Sequence, residues 1–225
     1  GLLFGYDWVV IGGAKPFYER FFDIAGSPHL QGWAMSSALI GCLFGAMGSG
    51  FFTERFGRKI PLIAAATLFV VAAAGTGLAD SFTVFVIFRL IGGLGIGLAS
   101  AISPMYIAEI SPAYMRGRLV SINQLTIVIG ILAAQITNYL IAEEVPVGAT
   151  DEFILQSWNG QTGWRWMFWA GGVPAVLFFV LSFFIPESPR FLGKTGKWES
   201  AERILAKIGG KGYAADEKKA IRETL

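Results

Sequence analysis

The chain has 225 residues, 54% of them hydrophobic and only 15% charged, with a mean hydropathy of +0.56. A soluble domain carries about 25% charged residues, so this composition excludes an ordinary soluble protein, and a net charge of +2 is too small to point to nucleic acid. The single cysteine, Cys42, sits in an apolar run and has no intrachain partner for a disulfide.

Six membrane spans are expected. The chain opens on GLLFGYDWVVIGG, 1–13, which is shorter than the roughly 20 residues of a full crossing. It reads as a first span cut at its amino end, and the chain as part of a longer protein. Further spans are expected at 32–52, 60–79, 82–103, 119–142 and 166–185. The tight connections at 53–59 and 80–81 make neighbouring spans antiparallel. Pro61 stands where a helix start tolerates it, whereas Pro174 falls inside the sixth span and should kink it. After the bundle at 1–185 comes a polar segment, 186–225. There Trp198, Ala201, Leu205 and Ile208 fall on one helical face, Gly209-Gly210 closes that helix, and 216–225 is expected to form a second short one. These residues make either a solvated charged tail or amphipathic helices lying against the bundle; the spacing favours the helices.

Basic residues give an orientation. If the first helix runs outward, fourteen of the eighteen Lys and Arg fall on the inner side and three, Lys15, Arg20 and Arg165, on the outer. The positive-inside rule then places both ends of the chain in the cytoplasm.

The remaining basic residue, Arg89, is set inside the fourth span. A charge there must find a partner or water and marks a functional site. The first span holds one acid, Asp7. Counting 1.5 Å per residue, Asp7 lies about 12 Å from the outer end before Lys15, and Arg89 about 10 Å in from Phe82. Matched depth predicts an ion pair; the alternative is two unrelated charges facing water. A carboxylate beside a guanidinium stays ionised, and one left buried and alone takes up a proton, so separating the pair would load Asp7.

On the fifth span Ser121, Gln124, Gln135 and Asn138 share about a third of the circumference with Val128 and Ile131. Such a stripe faces a cavity or a neighbouring helix rather than lipid. Read as a binding face, its amides donate to and accept from hydroxyls; read otherwise, they bond between helices. Gly41 with Gly45 and Gly93 with Gly97 are spaced i, i+4 for close helix packing. GGLGIG at 92–97 does not satisfy a nucleotide-loop pattern and lies in a span. Trp33, Trp158, Trp164 and Trp166 stand near span ends, as interfacial anchors do. His29 is given no role. No metal-ligand set and no nucleophile–base arrangement is evident, so neither an enzyme nor a cofactor or metal is expected.

Three inner loops carry Glu, Pro and Arg together: GFFTERFGRK at 50–59, PMYIAEISPAYMRGR at 104–118 and PESPRFL at 186–192. They form either an ion-pair cluster or charges that separately snorkel to water. These motifs, with RLIGGLGIG at 89–97, resemble in order and position the signatures of the sugar porters of the major facilitator superfamily. GYD at 5–7 is similar to their proton-coupled bacterial members. The resemblance covers nearly the whole chain. It implies an all-α membrane fold, the amino-terminal six-helix half of a twelve-helix carrier plus intracellular helices, with a second six-helix half as partner in the lipid bilayer. It implies proton-coupled symport of a hexose or pentose by alternating access, with Asp7 as the proton carrier against Arg89. A facilitator, which commonly has Asn at the Asp7 position, and a non-transporting sensor are the alternatives. Gln124 in QLTIVIG, with Phe4, Ile127 and Ile131, maps to sugar contacts of the family. Glu54, Arg55, Gly57, Arg58, Glu109, Arg116, Glu187 and Arg190 map to a cytoplasmic gate. Two positions depart from the pattern: Glu54 stands where the superfamily loop usually has Asp, and Ile131 where some xylose symporters have Gln.

Overall fold

In hydrocarbon the backbone must satisfy itself, which a helix does within one segment. The computed structural model describes residues 1–224, and among them there is no strand. In order come α1 (Leu2–Phe21), α2 (Pro28–Phe56), α3 (Lys59–Leu78), α4 (Phe82–Ile110), α5 (Ala113–Ile141), the short α6 (Asp151–Gln156), a π-helical turn (Asn159–Gly163), α7 (Trp164–Ala170), α8 (Gly172–Ser182), α9 (Pro189–Lys194) and α10 (Trp198–Thr224). Five stretches are long and apolar enough to cross a membrane: Pro28–Phe56, Lys59–Leu78, Phe82–Ile110, Ala113–Ile141 and Asn159–Ser182. The sixth helix of the bundle, α1, carries Asp7, Lys15, Glu19 and Arg20 among its 20 residues and packs along α5.

Four expectations change. The first span does not stop at Gly13: α1 runs through Pro16 to Phe21. Its charges find partners, Lys15 in Glu19 one turn on at 3.7 Å and Arg20 in Asp151 of the later segment at 2.7 Å. The fourth span does not end before Pro104, which lies inside α4, so Glu109 belongs to the last helical turn rather than to a loop. The sixth crossing is three pieces, not one helix. It breaks at Gly171, where Pro174 has no N–H to offer the carbonyl four residues earlier. Trp164, expected at an interface, is fully buried, packed among Phe21, Phe22, Phe85 and Phe168.

Two short helices, α6 and α9, were not expected. At α6, Thr150 accepts from the Phe153 amide, with Asp151 and Glu152 in the first turn, the arrangement that favours a helix start. The tail is helical, and α10 bends at Gly210, whose φ of 86° suits glycine. Its two limbs close on Leu205, Ala214 and Ile221 and are joined by Lys218 to Glu202 at 2.5 Å. That bond holds the Glu202 carboxyl below the usual carboxylate range. Leu225, the last residue of the second expected tail helix, lies outside the described residues.

Glycine sets the spacing of the bundle. A Cβ on Gly41 or Gly45 would strike the Leu90 and Leu94 carbonyls, and one on Gly93 or Gly97 the Ala38 and Cys42 carbonyls. The contacts advance together along both chains, so α2 and α4 run parallel with backbones touching. On α1 and α5, Gly5 meets Ile127 and Gly130 meets Leu2 in the same way. Exchanging the first three spans with the last three converts one pairing into the other, the relation expected of repeated three-helix units.

This packing predicts a sharp contrast. In the full-length protein in detergent, Gly93→Val should lower the thermal unfolding midpoint, at a cost of about 1–3 kcal/mol for forcing two backbones apart. Gly50→Ala, inside α2 with nothing near its Cβ, should not lower it and should raise it slightly, since Ala is favoured over Gly in a helix interior by about 0.5–1 kcal/mol.

Candidate functional site

Arg89 enters the bundle from α4 just before the glycine run that lets α4 lie against α2. Its side chain is 4% exposed, and its Nη1 donates to Asp7 Oδ1 of α1 at 2.5 Å. The guanidinium also lies 5.8 Å from the centre of the Phe168 ring. A buried charge is tolerated when paired, and removing one partner is costly. Asp7 is less enclosed, at 26%, because its carboxylate borders a cavity of about 260 Å³ walled by Phe4, Trp8, Met35 and Ser36. The pair thus has one member fixed in the protein and one within reach of open space. Matched depth in the sequence predicted this contact.

A larger cavity of about 580 Å³ lies between α1, α4, α5 and α8. Phe4, Gln124 and Ile127 line it together. Ile131, Gln135 and Asn138 do not line either large cavity. Ile131 is half-buried with its backbone behind Gly5, and Gln135 is exposed. Asn138 is buried with its amide against Gly13, the interhelical alternative for the stripe. Four polar residues of the lining went unread: Ser100, Ser103, Asn123 and Thr126. The i, i+3 spacing of each pair was the available signal. Phe4 borders both cavities and stacks on Trp8 one turn along α1.

At the end of the bundle where α3 and α5 begin, the loop motifs assemble around two carboxylates. Glu109 accepts from Arg58 Nη2 at 2.6 Å and from the Ser188 hydroxyl at 2.5 Å. Glu187 accepts from the Arg58 amide at 2.8 Å and the Lys59 amide at 3.3 Å, at the start of α3, and from the Ser188 amide at 2.8 Å. A carboxylate at a helix N-terminus is favoured by the free amides and the helix dipole. Gly57, at φ 81°, leaves room for Glu187, since a Cβ there would strike the carboxylate. Tyr106 donates to the Pro186 carbonyl at 2.8 Å, and Lys59 to the Phe183 carbonyl at 2.7 Å. The α2–α3 turn, the end of α4 and α9 are thereby tied into one unit. Glu54, Arg55, Arg116 and Arg190 stay outside it: each is exposed and, among the described residues, makes no side-chain hydrogen bond or ion pair. Ser188, Tyr106 and Lys59 were not read as members.

Comparison with known proteins accounts for this arrangement. The family of sugar (and other) transporters matches residues 1–225. The chain belongs to the sugar transporter family. It is 43% identical over 210 residues to the glucose transport protein of a Synechocystis strain, covering 93% of this chain and 44% of that protein. It is 42% identical over 225 residues to the arabinose-proton symporter of Bacillus subtilis, covering 100% and 46%. It is 40% identical over 249 residues to the D-xylose-proton symporter of Escherichia coli, covering 100% and 49%. The chain spans about half the length of the curated relatives it matches. Among solved structures, the partially occluded inward-open xylose transporter XylE of E. coli superposes with a TM-score of 0.89 at 40% identity, covering 100% of this chain and 56% of that one. The six-helix bundle is therefore the amino-terminal half of a major facilitator fold. These relatives are transporters, not enzymes.

The network at the α3 end should be separable from the bundle. In the full-length family member, Glu109→Gln removes the ion pair to Arg58. Amide exchange in α9 should quicken by about tenfold, one order for each 1.4 kcal/mol of lost local stability, while α2 and α4 amides keep their rates. Hydrogen exchange by mass spectrometry reads both.

Proposed function

We propose that the full-length protein couples proton entry to uptake of a hexose or pentose by alternating access, and that this chain supplies its amino-terminal half. The observation that carries the reading is the Asp7–Arg89 ion pair, enclosed at the arginine and open to a cavity at the acid. The relatives support it, since they include arabinose-, D-xylose- and galactose-proton symporters.

The chemistry follows from the geometry. With Asp7 ionised, the pair holds α1 against α4 at mid-depth. Protonation removes the negative charge and with it the attraction that draws α1 to α4. Asp7 and Phe4 lie one turn apart on α1, and Phe4 borders the larger cavity with Gln124 and Ile127. A shift of α1 is then felt at both places, so one helix links proton and sugar. Gln124 supplies an amide to sugar hydroxyls, and Ser100, Ser103 and Asn123 add polar contacts on the same wall. A monosaccharide and a proton are the ligands, and the carboxy-terminal six-helix half closes the site from the other side. Glu109, Glu187, Arg58 and Gly57 form the latch that ties the bundle when its cytoplasmic side is shut, with Glu54, Arg55, Arg116 and Arg190 facing the other half. The excess of basic residues on that side supports a plasma-membrane protein with both ends of this chain in the cytoplasm.

Asp7→Asn in the full-length carrier should abolish uphill sugar accumulation from an acid-driven gradient while sugar exchange at equal concentrations persists. Gln124→Ala should raise KM about tenfold, the scale of one lost hydrogen bond in an enclosed site, and leave the coupling intact. Accumulation that survives Asp7→Asn removes Asp7 from the proton role.

A further inference from the structure

On the α3 side of Arg89, a separate small cavity of about 40 Å³ is lined by residues of α1, α3, α4, α7 and α8. Its wall includes Asp7, Arg89 and Thr76, with Phe168, Phe69 and Tyr6. Two polar groups in that wall are left over. Arg89 Nε is fully buried and finds no hydrogen-bond partner among the described residues. Thr76 is 3% exposed. Thr53, Thr67 and Thr137 return their hydroxyls to carbonyls of their own helices, whereas the Thr76 hydroxyl makes no side-chain hydrogen bond among the described residues. The Tyr6 hydroxyl is already given to the Met167 carbonyl. Asp7 borders this cavity as well as the 260 Å³ one.

An unpartnered donor is most costly on a charged, buried group. A buried water needs about 10–15 Å³ and two to four polar partners; this cavity has the room, and three residues with polar side chains, Asp7, Thr76 and Arg89, line it.

We propose that the cavity holds a bound water that accepts from Arg89 Nε–H and donates to the Thr76 hydroxyl oxygen and the Asp7 carboxylate, tethering the guanidinium to α3. Thr76 is then a positioning residue for the proton step, and the inference rests on the proton-coupling reading above. When Asp7 is protonated and α1 moves, the tether keeps Arg89 in place, so the charges separate instead of travelling together. The other titratable groups facing the pair are Tyr6 and Tyr18 of α1 and Cys42 of α2; the residues that α3, α7 and α8 contribute to the two cavities around it include none.

The test uses the full-length carrier with Thr76→Val, which removes the hydroxyl at nearly constant volume, and Thr76→Ser, which keeps it. A water-resolving structure of the wild type should show density within hydrogen-bonding distance of Arg89 Nε and the Thr76 hydroxyl, lost in Thr76→Val. A guanidinium freed from α3 follows Asp7 and keeps it ionised. The external-pH midpoint of uphill uptake should therefore move to more acidic pH in Thr76→Val by about one unit, a tenfold change in proton activity. Thr76→Ser should restore it, and exchange at equal sugar concentrations, unchanged in both, reports that the variants fold. A wild-type map without that density, or a Thr76→Val midpoint equal to wild type, overturns the proposal. Asp7→Asn keeps the two readings apart: if it still accumulates sugar uphill, the coupling role fails, while the wild-type density still decides the water site.

Discussion

A guanidinium cannot be deprotonated in the interior of a protein, so Arg89 carries its charge wherever α4 puts it, and the bundle is arranged around that fact. Asp7 meets it from α1, the Phe168 ring lies beside it from α7, and α2 closes the far side through contacts that only glycine permits. Neutralising one charge with another in a low-dielectric setting is favourable only while both stay in register. The same interaction that stabilises α1 against α4 is thus the one whose loss on protonation frees it. Stability and switching share one bond.

The glycine contacts make that register exact enough to matter. In lipid there is little hydrophobic drive for two helices to associate, and close backbone approach supplies it through packing. The α2–α4 and α1–α5 pairs are both built this way, with carbonyls facing the positions where side chains would be. The broken sixth crossing behaves differently. Its interruption at Gly171 lies against the Tyr6 ring, one residue from Asp7. This interruption of the helix therefore sits beside the ion pair, where it borders a cavity rather than lipid, as membrane backbones require. At the α3 end, two carboxylates and one arginine replace glycine as the fastening, and a polar fastening suits the side where water can compete.

Much of this was legible. Apolar length located five of the crossings and only part of α1, and the motifs around Arg58, Glu109 and Glu187 pointed to the network that forms. Boundaries differ where a charge or a proline suggests an ending: Lys15 pairs with Glu19 on a helix that runs past it, and Pro104 sits within α4. Trp164 was read from its nearness to a span end, yet aromatic neighbours from α1 and α4 bury it. The stripe on α5 falls along one face, but that face meets different surroundings along its length. Gln124 opens on a cavity, and Asn138, four turns on, is closed by Gly13.

Helical period and apolar length depend only on the chain itself, so five of the crossings, the depths of Asp7 and Arg89 and the glycine faces were settled by the order of residues. Which face meets which neighbour depends on groups far apart in the chain. That Phe4 stands between two cavities, that Ser188 joins Glu109, and that Arg89 and Thr76 line one small cavity were decided by how the helices pack. Periodicity gives each side chain a direction, and only the neighbouring helix determines whether that direction ends in protein, lipid or water.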